Sequence, residues 1–306
     1  MPNGARAPLA AGYLLLFSGM ALVGVYTALS KPLSAAFPVF LLAWLRFAIA
    51  ALVMIPWLRR ADDEVPLTAS SGRALFLQSL FGNFLFSIFM LSGVAMTSAA
   101  AAGVVMAALP PLVAVLSWLF LREHASARVW AATALAAAGI ALLSPGLGHP
   151  DASASLAGNL LILGAAACEA VYVILGKRLT ASLSPRRISA LINLIGLALM
   201  TPLGLWQATR FDFSTITASL WGLLVFYSVS ASMISTWCWL SGLKRVPAAH
   251  SGVFTVALPL AATATAAGFL GEELGMNHFI AIACALSGIA LVAWPPRRGA
   301  SPEPRR

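Results

Sequence analysis

The sequence predicts an all-α polytopic membrane protein: ten transmembrane helices arranged as two inverted five-helix repeats. Three observations predict it. The chain is 60% hydrophobic and 9% charged, with a mean hydropathy of +0.89, whereas soluble domains carry roughly 25% charged residues. Its apolar residues fall into ten runs, each near the ~20 residues a bilayer-spanning helix needs. Its second half also repeats its first. Gly12-Tyr-Leu-Leu, Val25-Tyr26 and Lys31 recur as Gly158-Asn-Leu-Leu, Val171-Tyr172 and Lys177, 146 residues on (Gly12 to Gly158). Leu91-Ser-Gly93, Gly103-Val104 and Ala108-Leu109-Pro110 recur as Leu240-Ser-Gly242, Gly252-Val253 and Ala257-Leu258-Pro259, 149 residues on (Gly93 to Gly242).

In chain order the runs cover about 10–30, 37–58, 72–94, 98–121, 128–145, 156–176, 187–208, 217–240, 248–270 and 277–295. They are continuously apolar instead of alternating over about ten residues, which predicts helices and not a barrel. The first run follows Arg6, exceeds a secretory core in length and lacks a small-residue cleavage site, so it reads as the first span. Pro110 and Pro259 fall in the middle of the fourth and ninth runs. There a missing N–H and a ring clash open the backbone ladder, giving a paired gating kink or simply a bend that shapes the bundle. Residues 1–147 form the first repeat, 155–296 the second, and 297–306 a cytoplasmic tail. Five helices per repeat is an odd number, so the copies enter the membrane from opposite sides. Cys168, Cys238 and Cys284 lie inside runs and read as reduced packing residues.

Charge sets the orientation. With the N-terminus in the cytoplasm, all but three of the 19 basic residues face it; Lys31 and Arg210 lie outside and Arg46 lies within a run. The positive-inside rule therefore places both termini in the cytoplasm. The net charge of +9 is scattered through short loops facing anionic lipid, which argues against nucleic acid. His124, His149 and His278 have no metal-ligand spacing, and no nucleotide-hydrolysing motif is present. Asp62-Asp63-Glu64 reads as a surface loop beside Arg59-Arg60. With no clustered catalytic groups, the chain reads as a non-enzyme that needs neither metal nor cofactor. Trp57, Trp206, Trp221 and Trp294 sit near run ends as interfacial anchors.

Several of these motifs occur together: Ala99-Ala100-Ala101-Ala102-Gly103 before Leu109-Pro110-Pro111-Leu112, Trp118-Leu-Phe-Leu-Arg-Glu123, and Gly139-Ile140-Ala141-Leu142. They recur as Ala248-Ala249-His250-Ser251-Gly252, Leu258-Pro259-Leu260, Gly268-Phe-Leu-Gly-Glu272-Glu273 and Gly288-Ile289-Ala290-Leu291. In this order and spacing, with Arg46-Phe47 in the second run, the chain resembles the drug/metabolite transporter superfamily in its EamA branch, over almost its whole length. The resemblance implies ten helices and movement of small metabolites, often amino-acid export, with no covalent change to the substrate. Ala99/Gly103 and Ala248/Gly252 give small-xxx-small faces for close helix approach. Duplicated Glu123 and Glu272 read as caps of neighbouring helix N-termini or partners of a loop Arg. Duplicated Lys31 and Lys177 read as snorkelling anchors.

Residues that break the repeat are the better candidates for chemistry. Arg46 lies about 14 Å into the second run at 1.5 Å per residue, and its counterpart is Ile192; Glu169, within the sixth run, has Val23 as its counterpart. A charge at this depth costs about 2.5–3.5 kcal/mol or more and faces a cavity or a partner. Arg46 then faces the substrate path or makes a structural pair. Glu169, with Tyr172 on the same helix face, binds a substrate amine, exchanges a proton, or neutralises Arg46. Tyr26, Gln78, Asn83, Asn193, Tyr227, Ser232, Ser235, Trp237, His250, Ser251 and Thr255 are the remaining cavity candidates, helix-to-helix hydrogen bonding being the alternative. Gln78 with Tyr227 and Asn83 with Ser232 are repeat-equivalent, which turns the third and eighth runs toward one axis. His250 is either a pH-sensitive gate residue or a satisfied polar group. The expected function is a secondary transporter of the cell inner membrane that exports small metabolites, foremost amino acids, by alternating access. Proton coupling is one mode open to it. Transport of a nucleoside, sugar or drug-like compound, or a non-transporting scaffold, is the alternative.

Overall fold

Helix starts are written into the chain twice. Thr68 accepts from Ser71 N at 3.2 Å and Thr217 from Leu220 N at 3.4 Å; each threonine caps the helix that follows, satisfying a donor the first turn would leave unpaired. Ser184 does the same for the helix that opens with Pro185, whose fixed φ suits a first turn. The computed structural model describes residues 6–29, 31–60, 64–96, 105–143, 156–270 and 275–293. Asp62, Asp63, the 99–103 stretch, His149, Glu272, Trp294 and the 297–306 tail lie outside the described residues.

In the first half the helices are α1 (Arg6–Leu29), α2 (Lys31–Ala36), α3 (Val39–Val53), α4 (Ala69–Ser79), α5 (Phe86–Met96), α6 (Leu109–Leu121) and α7 (Ala127–Leu143). In the second they are α8 (Leu156–Leu179), α9 (Pro185–Ala208), α10 (Ala218–Ser228), α11 (Thr236–Arg245), α12 (Ala248–Phe254), α13 (Ala257–Leu270) and α14 (Met276–Ala293). Among the described residues, six helical stretches are long and apolar enough to cross a membrane: Leu9–Thr27, Ala69–Met90, Leu156–Leu179, Pro185–Ala208, Ala218–Arg245 and Met276–Ala293. The second, fourth and fifth runs are shorter apolar helices. The ninth run is divided into α12 and α13. Large apolar side chains such as Leu14, Leu52, Trp118, Leu160 and Met276 stand exposed, while Gln78, Ser79, Asn193 and Ser228 are buried. That inversion of the soluble pattern is the surface of a polytopic membrane protein.

Two departures from the sequence expectation shape the interior. α4 joins α5 through a π-helical stretch, Leu80–Leu85, and α10 joins α11 through another, Val229–Ser235. The two stretches are repeat-equivalent. Each widened turn is steadied by hydroxyls: Ser87 Oγ donates to Asn83 O at 2.7 Å, and Ser235 Oγ and Thr236 Oγ1 donate to Ala231 O at 2.7 and 3.2 Å. The prolines also do not sit in mid-helix. Turns at Ala107–Ala108 and Thr255–Val256 break the chain first. Pro110 and Pro259 then stand in the first turns of α6 and α13, where a missing N–H costs nothing.

Packing exchanges partners between halves. α1 lies against α11 and α13, and its counterpart α8 lies against α5 and α6; α3 pairs with its counterpart α9, and α7 with its counterpart α14. The contacts repeat in detail. A Cβ placed on Gly242 would stand 2.6 Å from Leu16 Cγ and 2.9 Å from Gly12 O, and one on Gly93 would stand 2.6 Å from Ile162 Cδ1 and 3.0 Å from Gly158 O. Likewise Gly139 meets Ala281 O at 3.2 Å, and Gly288 meets Ala132 O at 3.0 Å. Only a residue without a Cβ allows such approach.

Candidate functional site

Where α1, α5, α8 and α11 converge they enclose a cavity of about 540 Å³, within the range of small-molecule sites. Its walls are repeat-equivalent positions carrying different chemistry. Val23, Phe86, Met90 and Met106 line it from the first half; at the matching positions of the second stand Glu169, Ser235, Trp239 and Thr255. Tyr26 and Tyr172 are a matched pair, as are Leu109 and Leu258, while Met20 and Ile140 add to the apolar side. The cavity thus has one apolar wall and one largely polar wall.

Arg46 enters from α3. Its Cζ lies 4.4 Å over the Phe47 ring and 5.9 Å from that of Tyr227, contacts that favour a cation. Tyr227 in turn meets Tyr26 edge to face at 5.3 Å. Both Arg46 and Glu169 line the cavity. Among the described residues no ion pair joins them; the ion pair seen there is Arg187–Glu64, at 3.0 Å. A small annex of about 40 Å³ opens beside Arg46, lined also by Phe47, Asn83, Ile192, Asn193 and Ser232. Arg46, Asn83 and Tyr172 belong to both spaces.

Of the residues expected at the site, Glu169, Arg46, Tyr26, Asn83, Tyr172, Ser235, Thr255 and Pro259 line the main cavity, and Asn193 and Ser232 the annex. The others stand elsewhere. Gln78 is fully buried and donates through Nε2 to Tyr172 O at 3.4 Å, beneath the cavity wall. Trp237 points away, and Trp239, two residues on, takes its place. Pro110 is buried against Gly252, whose missing Cβ would meet Pro110 O at 3.2 Å. His250 Nδ1 pairs with Tyr13 Oη at 2.9 Å, a satisfied polar group away from the cavity. Ser251 Oγ donates to Ala248 O.

The expected anchors act as clasps. Lys177 Nζ donates to Leu243 O at 2.7 Å and to Val246 O at 2.5 Å, closing the end of α11 instead of snorkelling. Glu123 accepts from Ala249 N at 3.2 Å and from Ser117 Oγ at 2.5 Å, capping α12. Glu64 is not a surface residue. It is 5% exposed, accepts from Ser184 N at 2.6 Å and pairs with Arg187. Burial opposes its ionisation, but the bonds from Ser184 and Arg187 outweigh that and hold its carboxyl below the ordinary value. These ties, with Tyr13–His250, gather at the bundle end where α1 begins and α8 and α11 finish. The cavity uses α1 residues 20–26, beyond that seal.

The EamA-like transporter family model matches this chain twice, over residues 10–144 and 156–294. A Bacillus subtilis protein named "Uncharacterized transporter YetK" is 34% identical over 280 residues, 90% of this chain and 85% of that protein. A second from the same organism, "Uncharacterized transporter YwfM", is 31% identical over 195 residues, 63% of this chain and 64% of that protein. A crystal structure shares the fold with a TM-score of 0.76 at 22% identity, covering 92% of this chain and 96% of that one. The chain belongs to the EamA-like transporter family.

Proposed function

We propose that this family member is a secondary transporter of the inner membrane that exports small metabolites, foremost amino acids, through the cavity between two inverted five-helix repeats. The exchange of helix partners between halves and the two matches of the family model support the repeat reading. The carrying observation for the substrate is that one enclosed space holds Arg46 and Glu169, unpaired with each other, opposite an apolar wall. A zwitterion supplies the partner each charge lacks, and its side chain suits the apolar side. Uncompensated, each charge costs about 2.5–3.5 kcal/mol at such depth. Alternating access follows from the clasps at one end of the bundle. Releasing them opens the cavity toward the end that the positive-inside rule assigns to the cytoplasm. Glu169 is also the group placed to exchange a proton during the cycle.

Efflux of labelled amino acids, nucleosides and sugars from proteoliposomes, with and without an imposed pH gradient, tests the proposal. Selective amino-acid efflux is expected. Flux confined to nucleosides or sugars would replace the substrate class, and no flux of any class would favour a scaffold.

A further inference from the structure

The annex beside Arg46 is lined by three repeat-equivalent pairs, Arg46 with Ile192, Phe47 with Asn193, and Asn83 with Ser232. It therefore sits where the two halves meet, yet each pair is chemically unlike. Two of its polar atoms are buried without a partner: Asn193 Oδ1, in a residue 2% exposed, and Ser232 Oγ, in one 6% exposed. Asn193 Nδ2 is already committed to Phe47 O at 2.9 Å, which fixes the amide with its oxygen free. Leaving such groups unsatisfied costs about 1–3 kcal/mol each, so a ligand that satisfies them gains that much. The Arg46 guanidinium has its face on Phe47, which leaves its N–H edge for a planar acceptor.

We infer that the annex is the seat of the substrate's carboxylate, an assignment that rests on the amino-acid reading above and deepens it. The carboxylate accepts from the Arg46 N–H edge in the two-pronged geometry that guanidinium favours. It accepts also from the Ser232 hydroxyl and from the second N–H of Asn83, whose first goes to Ser79 Oγ at 3.1 Å. Asn193 Oδ1 takes an N–H of Arg46 that the carboxylate leaves over, the guanidinium having five, and so is a positioning residue. At about 40 Å³ the annex admits a carboxylate and little more, since a water in the liquid occupies about 30 Å³. The rest of the molecule must lie in the main cavity, its amine toward Glu169 and its side chain toward the methionines. The site thereby fixes which way round the substrate sits.

Binding of four probes to the purified full-length chain in nanodiscs tests this: leucine, leucinamide, 4-methylpentanoate and 3-methylbutylamine. The wild type is expected to bind leucine and 4-methylpentanoate about tenfold or more tighter than the amide and the amine. Ser232→Ala and Asn193→Leu should each weaken the two acids by about tenfold, the loss of one charge-assisted bond, and leave 3-methylbutylamine within about twofold. Equal binding of leucine and leucinamide, or variants that weaken all four probes alike, would overturn the carboxylate seat while leaving amino-acid transport standing. Binding of 4-methylpentanoate without leucine would keep the seat and remove the amino-acid reading. No binding by any probe would remove both.

Discussion

The helix seams and the cavity treat the same duplication in opposite ways. At the seams the two copies are alike to the atom type. Gly242 rests on Leu16 and Gly12, and Gly93 on Ile162 and Gly158. In the cavity the matched positions face one another and differ: Val23 against Glu169, Met90 against Trp239, Met106 against Thr255. Close packing of two backbones has few solutions, so both copies keep the same one. A binding site for an asymmetric molecule has no use for a symmetric wall. The difference separates residues that hold the protein together from those that meet its cargo, without any appeal to relatives.

The seam side of this contrast is broken most severely by Gly242→Leu or Gly93→Leu. Either side chain collides with a carbonyl oxygen at about 3 Å, and overpacking of this kind costs about 3 kcal/mol or more. Both variants should lose most of their monodisperse folded protein in size-exclusion profiles. A strong loss for one and none for the other would mean that the seams are not equivalent.

In the cavity the expectation reverses: folding is spared and transport is one-sided. Glu169→Gln should lower the flux of an amine-bearing substrate by about 100-fold or change which substrate is selected, about 2.7 kcal/mol on the transition state, with membrane insertion unchanged. Arg46→Ile, which places the residue of its repeat counterpart there, should lower flux comparably. Val23→Ala, at the position matching Glu169, should change flux by less than about threefold. Wild-type flux and pH dependence in Glu169→Gln would remove that carboxylate from the site. Within the walls themselves, Trp239→Met should cost less, about fivefold in flux, because it exchanges one apolar surface for another while removing a buried N–H that has no partner in the protein.

How far this was legible in the sequence follows from the same division. The glycine, proline and cap positions could be read because each enforces a local geometry, and their repetition exposes the duplication. Arg46, Glu169, Asn83, Asn193 and Ser232 could be read because a polar group inside an apolar run needs a reason to be there. The π-helical turns could not, since an i→i+5 turn has no residue signature and depends on its neighbours. Their added residue shifts the phase of everything after them, which is why Trp239 and not Trp237 reaches the cavity. The methionine wall was equally silent, a methionine in a lipid-facing run looking the same as one facing cargo. Glu64 looked like part of an acidic surface loop because its partner, Arg187, lies 123 residues away.

Glu64 belongs to neither region, and it sharpens the contrast at its weakest point. The matching loop of the second half holds Asp212, which turns inward on its own loop to accept from Ser214 N at 2.9 Å and clasps nothing across the bundle. Symmetry is therefore broken at the rim as well as in the cavity, on the side where the clasps gather. Glu64→Gln should remove about 2 kcal/mol, a fall of about 6 °C in Tm at pH 7. The carboxyl titrates below its ordinary value in the folded protein, so its contribution is complete above the unfolded pKa of about 4.3 and is lost as pH falls through the lowered folded value. Melting curves of wild type and Glu64→Gln should stand apart at pH 7 and converge below about pH 4. A gap that persists in acid would mean that Glu64 acts by shape and not by charge, and that the rim clasp is a seam residue after all.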